Sequence, residues 1–166
     1  MEVLDLTDAL IAEFNAQLTR EMHAGYLYLA VSAYMEDQNL PGMANWMRRQ
    51  AQEEVGHAMR FYHQLVERGA RVALGPIETP TAEYASPLAA FEAGLAHEKA
   101  VTAHIRGLYE QSLAEKDHAS TIFLQWFVTE QVEEEASFNA AIASLEAVGG
   151  AKHGLLMLDR EMGKRE

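Results

Sequence analysis

The sequence predicts an all-α protein. Four long helices form a bundle of two antiparallel hairpins joined by a long crossover, and a short fifth helix follows. Three observations lead to this prediction. Glycine and proline cluster in a few breaks, each long segment carries an apolar stripe with helical spacing, and one break is much longer than the others. The 166 residues suit a single domain, 1–166.

The predicted helix boundaries follow the turn-forming residues. The four long helices cover residues 5–36, 43–68, 87–116 and 119–147, and the short fifth helix covers residues 151–162. The breaks after the first and third helices are short, so each of these helices forms an antiparallel hairpin with the next one.

The break between the second and third helices, residues 70–86, is too long for a hairpin turn. When extended it could span roughly 55 Å, whereas a 26-residue helix is only ~39 Å long. The segment can therefore run the full length of the bundle, so that the second and third helices point the same way.

Composition excludes several classes of site and partner. Cysteine is absent, which excludes disulfides, thiolate metal sites and iron–sulfur clusters, so any metal must be held by oxygen and nitrogen. The formal charge of −12 disfavours nucleic acid and anionic membranes. No stretch approaches ~20 consecutive apolar residues, and the start of the chain does not resemble a signal peptide. We therefore expect a cytoplasmic protein.

Each apolar stripe is interrupted by a glutamate: Glu21, Glu54, Glu98 and Glu134. A buried carboxylate without a partner costs several kcal/mol. A single such residue would indicate a buried salt bridge or a misplaced stripe. Four at matching positions are different, because the only basic residues in register are histidines, too few to neutralise them. A pair of cations would do so.

The candidate residues keep the same spacing in both hairpins. Intervals of 33 residues join Glu21 to Glu54 and Glu98 to Gln131. Intervals of 36 residues start from the same two glutamates and end at His57 and at the fourth-helix glutamate. At ~1.5 Å per residue, all six positions fall within about one turn of a common plane. This repeat is what a two-fold pseudo-symmetric two-metal site requires.

The candidate ligands differ between the two hairpins. The second helix offers Glu54-x-x-His57, whereas the fourth offers Gln131-x-x-Glu134 instead of a second histidine. Mostly oxygen ligands with one imidazole suit iron or manganese better than structural zinc.

These residues resemble the non-haem ferritins of bacteria and archaea, and the resemblance covers nearly the whole chain. It rests on RQAQEEVGHA at 49–58 in the second helix, and on FLQWF at 123–127 and EQVEEE at 130–135 in the fourth. The crossover, with AEY at 82–84, fits in length. The resemblance implies a ferritin-like four-helix bundle with a dinuclear iron site in each subunit.

By this resemblance, Glu21, Glu54 and His57 form the first iron site, with Gln131 beside it. Glu54 bridges the two ions, and Glu98 with Glu134 completes the second site. Tyr28 corresponds to a tyrosine beside the dinuclear centre, and its stripe position is equally typical of core. Trp126 has the same two interpretations.

A third, inward-facing iron site is implied at Glu53, Glu130 and Glu133, for which the alternative is a solvated acidic face. Val55 stands where bacterioferritins place their haem-ligating methionine, so we expect no haem. Thr121 and Leu124 stand where animal ferritins place acidic channel residues, which leaves the usual three-fold iron access route without its ligands.

The implied function is iron storage and detoxification by a ferroxidase. Such a protein oxidises Fe(II) with O2 or hydrogen peroxide and stores the Fe(III) mineral in a hollow homo-oligomeric cage, usually of 24 subunits. Two alternatives stay open at this point. One is a di-iron or di-manganese carboxylate oxidase or peroxidase acting on another substrate. The other is a metal-free bundle that mediates protein interactions.

Overall fold

The computed structural model describes residues 6–166, and within them it contains five α-helices and no strand. The helices are α1 (Asp8–Asp37), α2 (Pro41–Glu67), α3 (Pro87–Ala114), α4 (His118–Val148) and α5 (Lys152–Met162). All five predicted helices are confirmed, with boundaries that differ by three residues or fewer. The expected start at residue 5 lies outside the described residues.

Side-chain caps account for three of the helix starts. Thr7, Ser86 and Asp117 each accept a hydrogen bond from a first-turn backbone amide of α1, α3 and α4, respectively. The helix α4 ends at Gly149, whose φ of 59° lies in the left-handed region that glycine adopts readily.

The crossover, residues 68–86, contains no helix or strand and passes along α1. The side chain of Asn15 donates to the Arg71 carbonyl at 3.0 Å and accepts from the Ala73 amide at 2.7 Å. Further along, the Gly75 amide donates to the Thr19 hydroxyl at 3.0 Å. These contacts hold the long connection against the bundle, as the predicted topology requires. None of the helices in the described part of the chain is long and apolar enough to cross a membrane.

The bundle interior consists of two apolar clusters with a polar layer between them. On α1, Leu18 belongs to one cluster and Ala24 to the other, and Glu21 lies between them in sequence. On α3, Phe91 and Val101 fall in different clusters in the same way, on either side of the third glutamate. The interior is therefore apolar at both ends and polar near its middle.

Candidate metal centre

The four glutamates predicted from the stripes all lie in the polar layer, one on each helix of the bundle. Their exposed fractions are 0% for Glu21, Glu54 and Glu98 and 3% for Glu134. His57 is 4% exposed and Gln131, on α4, 1%. Carboxylates so deeply buried are rare unless they are paired or bind metal.

The side chains form overlapping groups that could each hold a cation. Ligand atoms of Glu21, Glu54 and His57 all lie within 4.8 Å of one another, and so do those of Glu54, Glu98 and Glu134. Glu54 is common to both groups. Two neighbouring cation positions would therefore share its carboxylate, which is the bridging arrangement expected from the sequence.

In three of the four glutamates, one carboxylate oxygen accepts a hydrogen bond from a buried glutamine amide. On α1, Gln17 Nε2 donates to Glu21 Oε1 at 3.0 Å. On α2, Gln50 Nε2 donates to Glu54 Oε1 at 2.9 Å and also to Glu134 Oε2. Both glutamines are 0% exposed. These amides are neutral, so they orient the carboxylates without supplying a charge that would compete with a cation.

Glu98 has a donor on each oxygen. The Tyr28 hydroxyl donates to Oε1, and Gln131 Nε2 donates to Oε2 at 3.1 Å. Gln131 Nε2 also lies 3.2 Å from the Thr102 hydroxyl and from the Glu98 carbonyl. The Gln131 amide therefore lies against the third-helix glutamate.

The remaining polar atoms of the site have no hydrogen-bond partner. Within residues 6–166, six buried side-chain atoms lack one, and five of them belong here: Glu21 Oε2, Glu54 Oε2, Glu134 Oε1, His57 Nδ1 and Gln131 Oε1. His57 Nδ1 lies 3.3 Å from Glu54 Oε2 and 3.8 Å from Glu21 Oε2 without hydrogen-bond geometry. Buried polar atoms normally have partners, and unsatisfied ones concentrated in one place form a donor set that could hold an ion.

The pKa values of the cluster show that it retains protons at neutral pH. Burial lowers the pKa of His57, but the carboxylates of Glu21 and Glu54 outweigh burial and raise it to about 11. Burial and the charge of Glu98 raise the pKa of Glu134 to about 8. Burial also raises the pKa of Glu54 well above its usual value. Without a cation, bound protons therefore neutralise part of the negative charge of the buried carboxylates.

The two aromatic residues singled out in the sequence both contact this layer. Tyr28 is 0% exposed, and besides its bond to Glu98 it packs 5.5 Å from the Phe138 ring, so it belongs to the core and to the site together. Trp126 packs edge-on against the His57 ring at 5.4 Å, and the Arg60 guanidinium lies 3.6 Å above its indole.

The three residues of the expected third site are only partly brought together. Glu130 Oε1 lies 3.7 Å from His57 Nε2, and Glu130 forms a third cation-sized group with His57 and Glu134. Glu53 instead forms an ion pair with Arg165 at 3.0 Å, and Glu133 is exposed. In the described residues no single ligand group contains Glu53, Glu130 and Glu133.

Sequence reasoning overlooked the two glutamines that orient the carboxylates. Gln17 and Gln50 stand four residues before Glu21 and Glu54, which is the spacing at which helical side chains meet. A glutamine at this spacing before each glutamate of the first hairpin was a signal that could have been used. The contact of Arg165 with Glu53 spans 112 residues and has no local signal.

Comparison with known proteins identifies the family. A model of the ferritin-like domain matches residues 11–148. The bacterial non-heme ferritin of Staphylococcus saprophyticus is 35% identical over 160 residues, which cover 96% of each chain. An open pore ferritin from the archaeon Archaeoglobus fulgidus has a TM-score of 0.96 and 43% identity, covering 98% of this chain and 100% of that one. A humanized archaeal ferritin has the same TM-score at 42% identity, covering 98% of each chain. The chain therefore belongs to the ferritin-like domain family.

Proposed function

We propose that this protein stores and detoxifies iron and that it is a ferroxidase, oxidising Fe(II) to Fe(III) at a dinuclear site. The observation that carries the proposal is the set of unpaired oxygens on Glu21, Glu54 and Glu134, which converge with His57 in the middle of a closed bundle. Carboxylate oxygens with one imidazole form a donor set that suits iron. The relatives named as ferritins support the same function.

Two Fe(II) ions are the substrate, and they share one ligand, Glu54. The first takes Glu21, Glu54 and His57, and the second takes Glu54, Glu98 and Glu134. Tyr28 and Gln131 hold the Glu98 carboxylate through hydrogen bonds to its two oxygens. The shared Glu54 carboxylate keeps the ions close enough to deliver electrons to one oxidant.

The oxidation balances with either oxidant. Two Fe(II) ions lose one electron each; O2 takes both electrons and two protons to become hydrogen peroxide, or hydrogen peroxide takes them to become two waters. The product ions carry more positive charge than the substrate ions. Four surrounding glutamates stabilise that added charge, so the site favours the oxidised pair.

Product iron then needs a path out of the dinuclear site. Glu130 Oε1 lies 3.7 Å from His57 Nε2, and both Glu133 on the same helix and Glu53 on α2 are exposed. Burial and the negative charges of Glu133 and Glu53 raise the pKa of Glu130, so the three carboxylates interact electrostatically. We include all three as a transient third iron site that leads towards the interior of the cage.

Storage requires a hollow shell, for which we propose a 24-subunit homo-oligomer. One face of the subunit, formed by α1, α2 and the crossover, carries large exposed apolar side chains: Tyr26, Leu29, Val55, Met59, Tyr62 and Ile77. Continuous apolar patches on a soluble protein mark surfaces that are covered by partners. Only iron storage requires a particle of many subunits that accumulates ferric mineral. Finding such a particle would therefore distinguish this protein from an oxidase that acts on another substrate.

The direct test is Glu54→Ala, because Glu54 is the one residue common to both iron positions. We expect the initial rate of aerobic Fe(II) oxidation to fall more than about 100-fold, since even outer-sphere partners of metal ligands are worth about 10- to 100-fold. Stopped-flow absorbance after a first addition of two Fe(II) per chain measures this rate.

The matched control is Glu92→Ala, which removes an exposed α3 carboxylate and should oxidise iron normally. Circular dichroism should show Glu54→Ala fully helical. An unchanged first-turnover rate in Glu54→Ala would refute the dinuclear assignment.

A further inference from the structure

The end of the chain returns to the second helix beside the candidate metal centre. Beyond α5, Arg165 lays its guanidinium over the Trp46 indole at 4.2 Å and donates from Nη1 to the Trp46 carbonyl at 3.3 Å. Its Nη2 donates to Gln50 Oε1 at 2.9 Å and to Glu53 Oε2 at 3.0 Å. The Arg165 side chain is only 19% exposed. A residue so thoroughly held is not an ordinary surface cation.

The contact with Gln50 fixes the direction of a buried amide. A guanidinium can only donate, so it selects the oxygen end of the Gln50 side chain. The nitrogen end must then face the opposite way, where it donates to Glu54 Oε1 and Glu134 Oε2. Without Arg165, the amide could rotate by 180° and present its oxygen to the two carboxyls.

The amide in turn selects which carboxylate oxygens are left for a cation. Gln50 occupies Glu54 Oε1 and Glu134 Oε2, and the unpaired atoms are the other oxygen of each residue, Glu54 Oε2 and Glu134 Oε1. Glu54 and Glu134 both belong to the group of residues that could hold the second cation. A single arginine is thus linked through one amide to two of the candidate ligands.

The backbone of the segment is held independently of the arginine side chain. Asn45 Nδ2 donates to the Gly163 carbonyl at 3.2 Å and to the Arg165 carbonyl at 3.1 Å. In α5, Asp159 binds the Gly42 and Met43 amides at 3.0 and 2.7 Å. Replacing the Arg165 side chain therefore leaves several attachments of this segment to α2 in place.

We propose that Arg165 is a positioning residue of the dinuclear centre. It fixes the Gln50 amide so that Glu54 and Glu134 each turn one free oxygen towards the metal positions. The inference rests on the proposed function, because it assigns a role in that same site. Outer-sphere hydrogen bonds of this kind orient metal ligands and raise metal affinity about 10- to 100-fold.

The test uses Co2+, which does not undergo the Fe(II) oxidation and reports coordination through its visible absorption. The variants are Arg165→Met, Gln50→Leu and the double variant, all titrated as the assembled full-length protein. We expect each single variant to bind Co2+ at the second position about 10- to 100-fold more weakly. The double variant should lose no more than Gln50→Leu alone, since Arg165 acts through that amide.

The control is Lys164→Met, which removes the same charge from the neighbouring, 70% exposed residue and should bind Co2+ normally. Arg165→Lys keeps the charge without the forked donors and should recover only part of the affinity. Unchanged Co2+ affinity in Arg165→Met would overturn the proposal, and so would losses that add in the double variant. Tight Co2+ binding without Fe(II) oxidation would refute the ferroxidase function while leaving the positioning role intact.

Discussion

Three of the four glutamates of the centre have one carboxylate oxygen that is hydrogen-bonded and one that is not. One oxygen of Glu21, Glu54 and Glu134 accepts from a neutral amide, and the other faces its neighbours without a donor. Burial would otherwise exclude four carboxylates, but a raised pKa keeps some of them protonated in the absence of metal. Without metal the site therefore tolerates its own charge, and we expect it to exchange protons for cations.

Proton displacement makes metal binding pH-dependent. At pH 7 the Glu134 carboxyl, with its pKa of about 8, is largely protonated, and so is His57, with its pKa of about 11. Both must lose protons to become ligands, so we expect Co2+ to bind more weakly as pH falls from 8 to 6 and protons to be released on binding. Calorimetric titration at pH 7 in two buffers of different ionisation enthalpy measures that release.

Glu134→Gln should release fewer protons than the unmutated protein, because an amide has none to give up from this position. Glu92→Gln, at an exposed position of α3, should leave the proton release unchanged. Equal binding heats in the two buffers would mean that neither His57 nor Glu134 releases a proton, contrary to their raised pKa values.

The candidate ligands were predictable from the sequence because helical spacing determines which residues face the interior. The 33- and 36-residue intervals predicted that Glu21, Glu98 and the candidate ligands on α2 and α4 lie at one height in the bundle. The structure places the side chains of these glutamates and His57 in overlapping groups. The spacing could not show which oxygen each amide occupies. Nor could it show that Arg165 reaches Gln50, since that contact depends on how the fifth helix docks.

At the scale of elements, α5 completes a helix that lacks a cap of its own. The N-cap residue of α2 is Leu40, whose side chain cannot accept a hydrogen bond. The buried carboxylate of Asp159 binds the Gly42 and Met43 amides instead, and its negative charge suits a helix N-terminus. A side chain on Gly42 would collide with α5, because its Cβ would lie 1.7 Å from the Asp159 carbonyl oxygen. The sequence predicted the fifth helix but not this contact.

Asp159→Ala should loosen α5. It leaves two buried amides of α2 without an acceptor, which costs about 1–3 kcal/mol. We expect faster hydrogen exchange across residues 152–166 and at the start of α2, and a lower unfolding temperature of the iron-free protein. The control is Glu161→Ala, on the same helix, where the side chain is 68% exposed and pairs with Lys164. Exchange in Asp159→Ala that matches this control would contradict the capping role.

At the scale of the whole molecule, the acidic surface and one exposed apolar face have different roles. A formal charge of −12 keeps the surface soluble and attracts cations. The apolar face on α1, α2 and the crossover is an exception to this charged surface. On it, Tyr26 and Leu29 are each 52% exposed and Val55 is 41% exposed. These residues line one groove together with Gly25 and Ile77. The sequence does not reveal this face, because the residues come from three elements that meet only in the fold.

Leu29→Glu tests whether this face joins subunits. In a closed symmetric assembly the same patch recurs at every copy of an interface, so one substitution introduces an unpaired charge at each copy. Placing like charges or an unpaired carboxylate in an apolar interface costs several kcal/mol. We expect size-exclusion chromatography with light scattering to show small species in place of a large particle.

The control Ala103→Glu adds the same charge on an exposed position of α3 and should assemble normally. Leu29→Glu should still bind two Co2+ per chain, because all the candidate ligands of the proposed dinuclear site lie within one chain. A full-sized particle from Leu29→Glu would show that this face is not an interface.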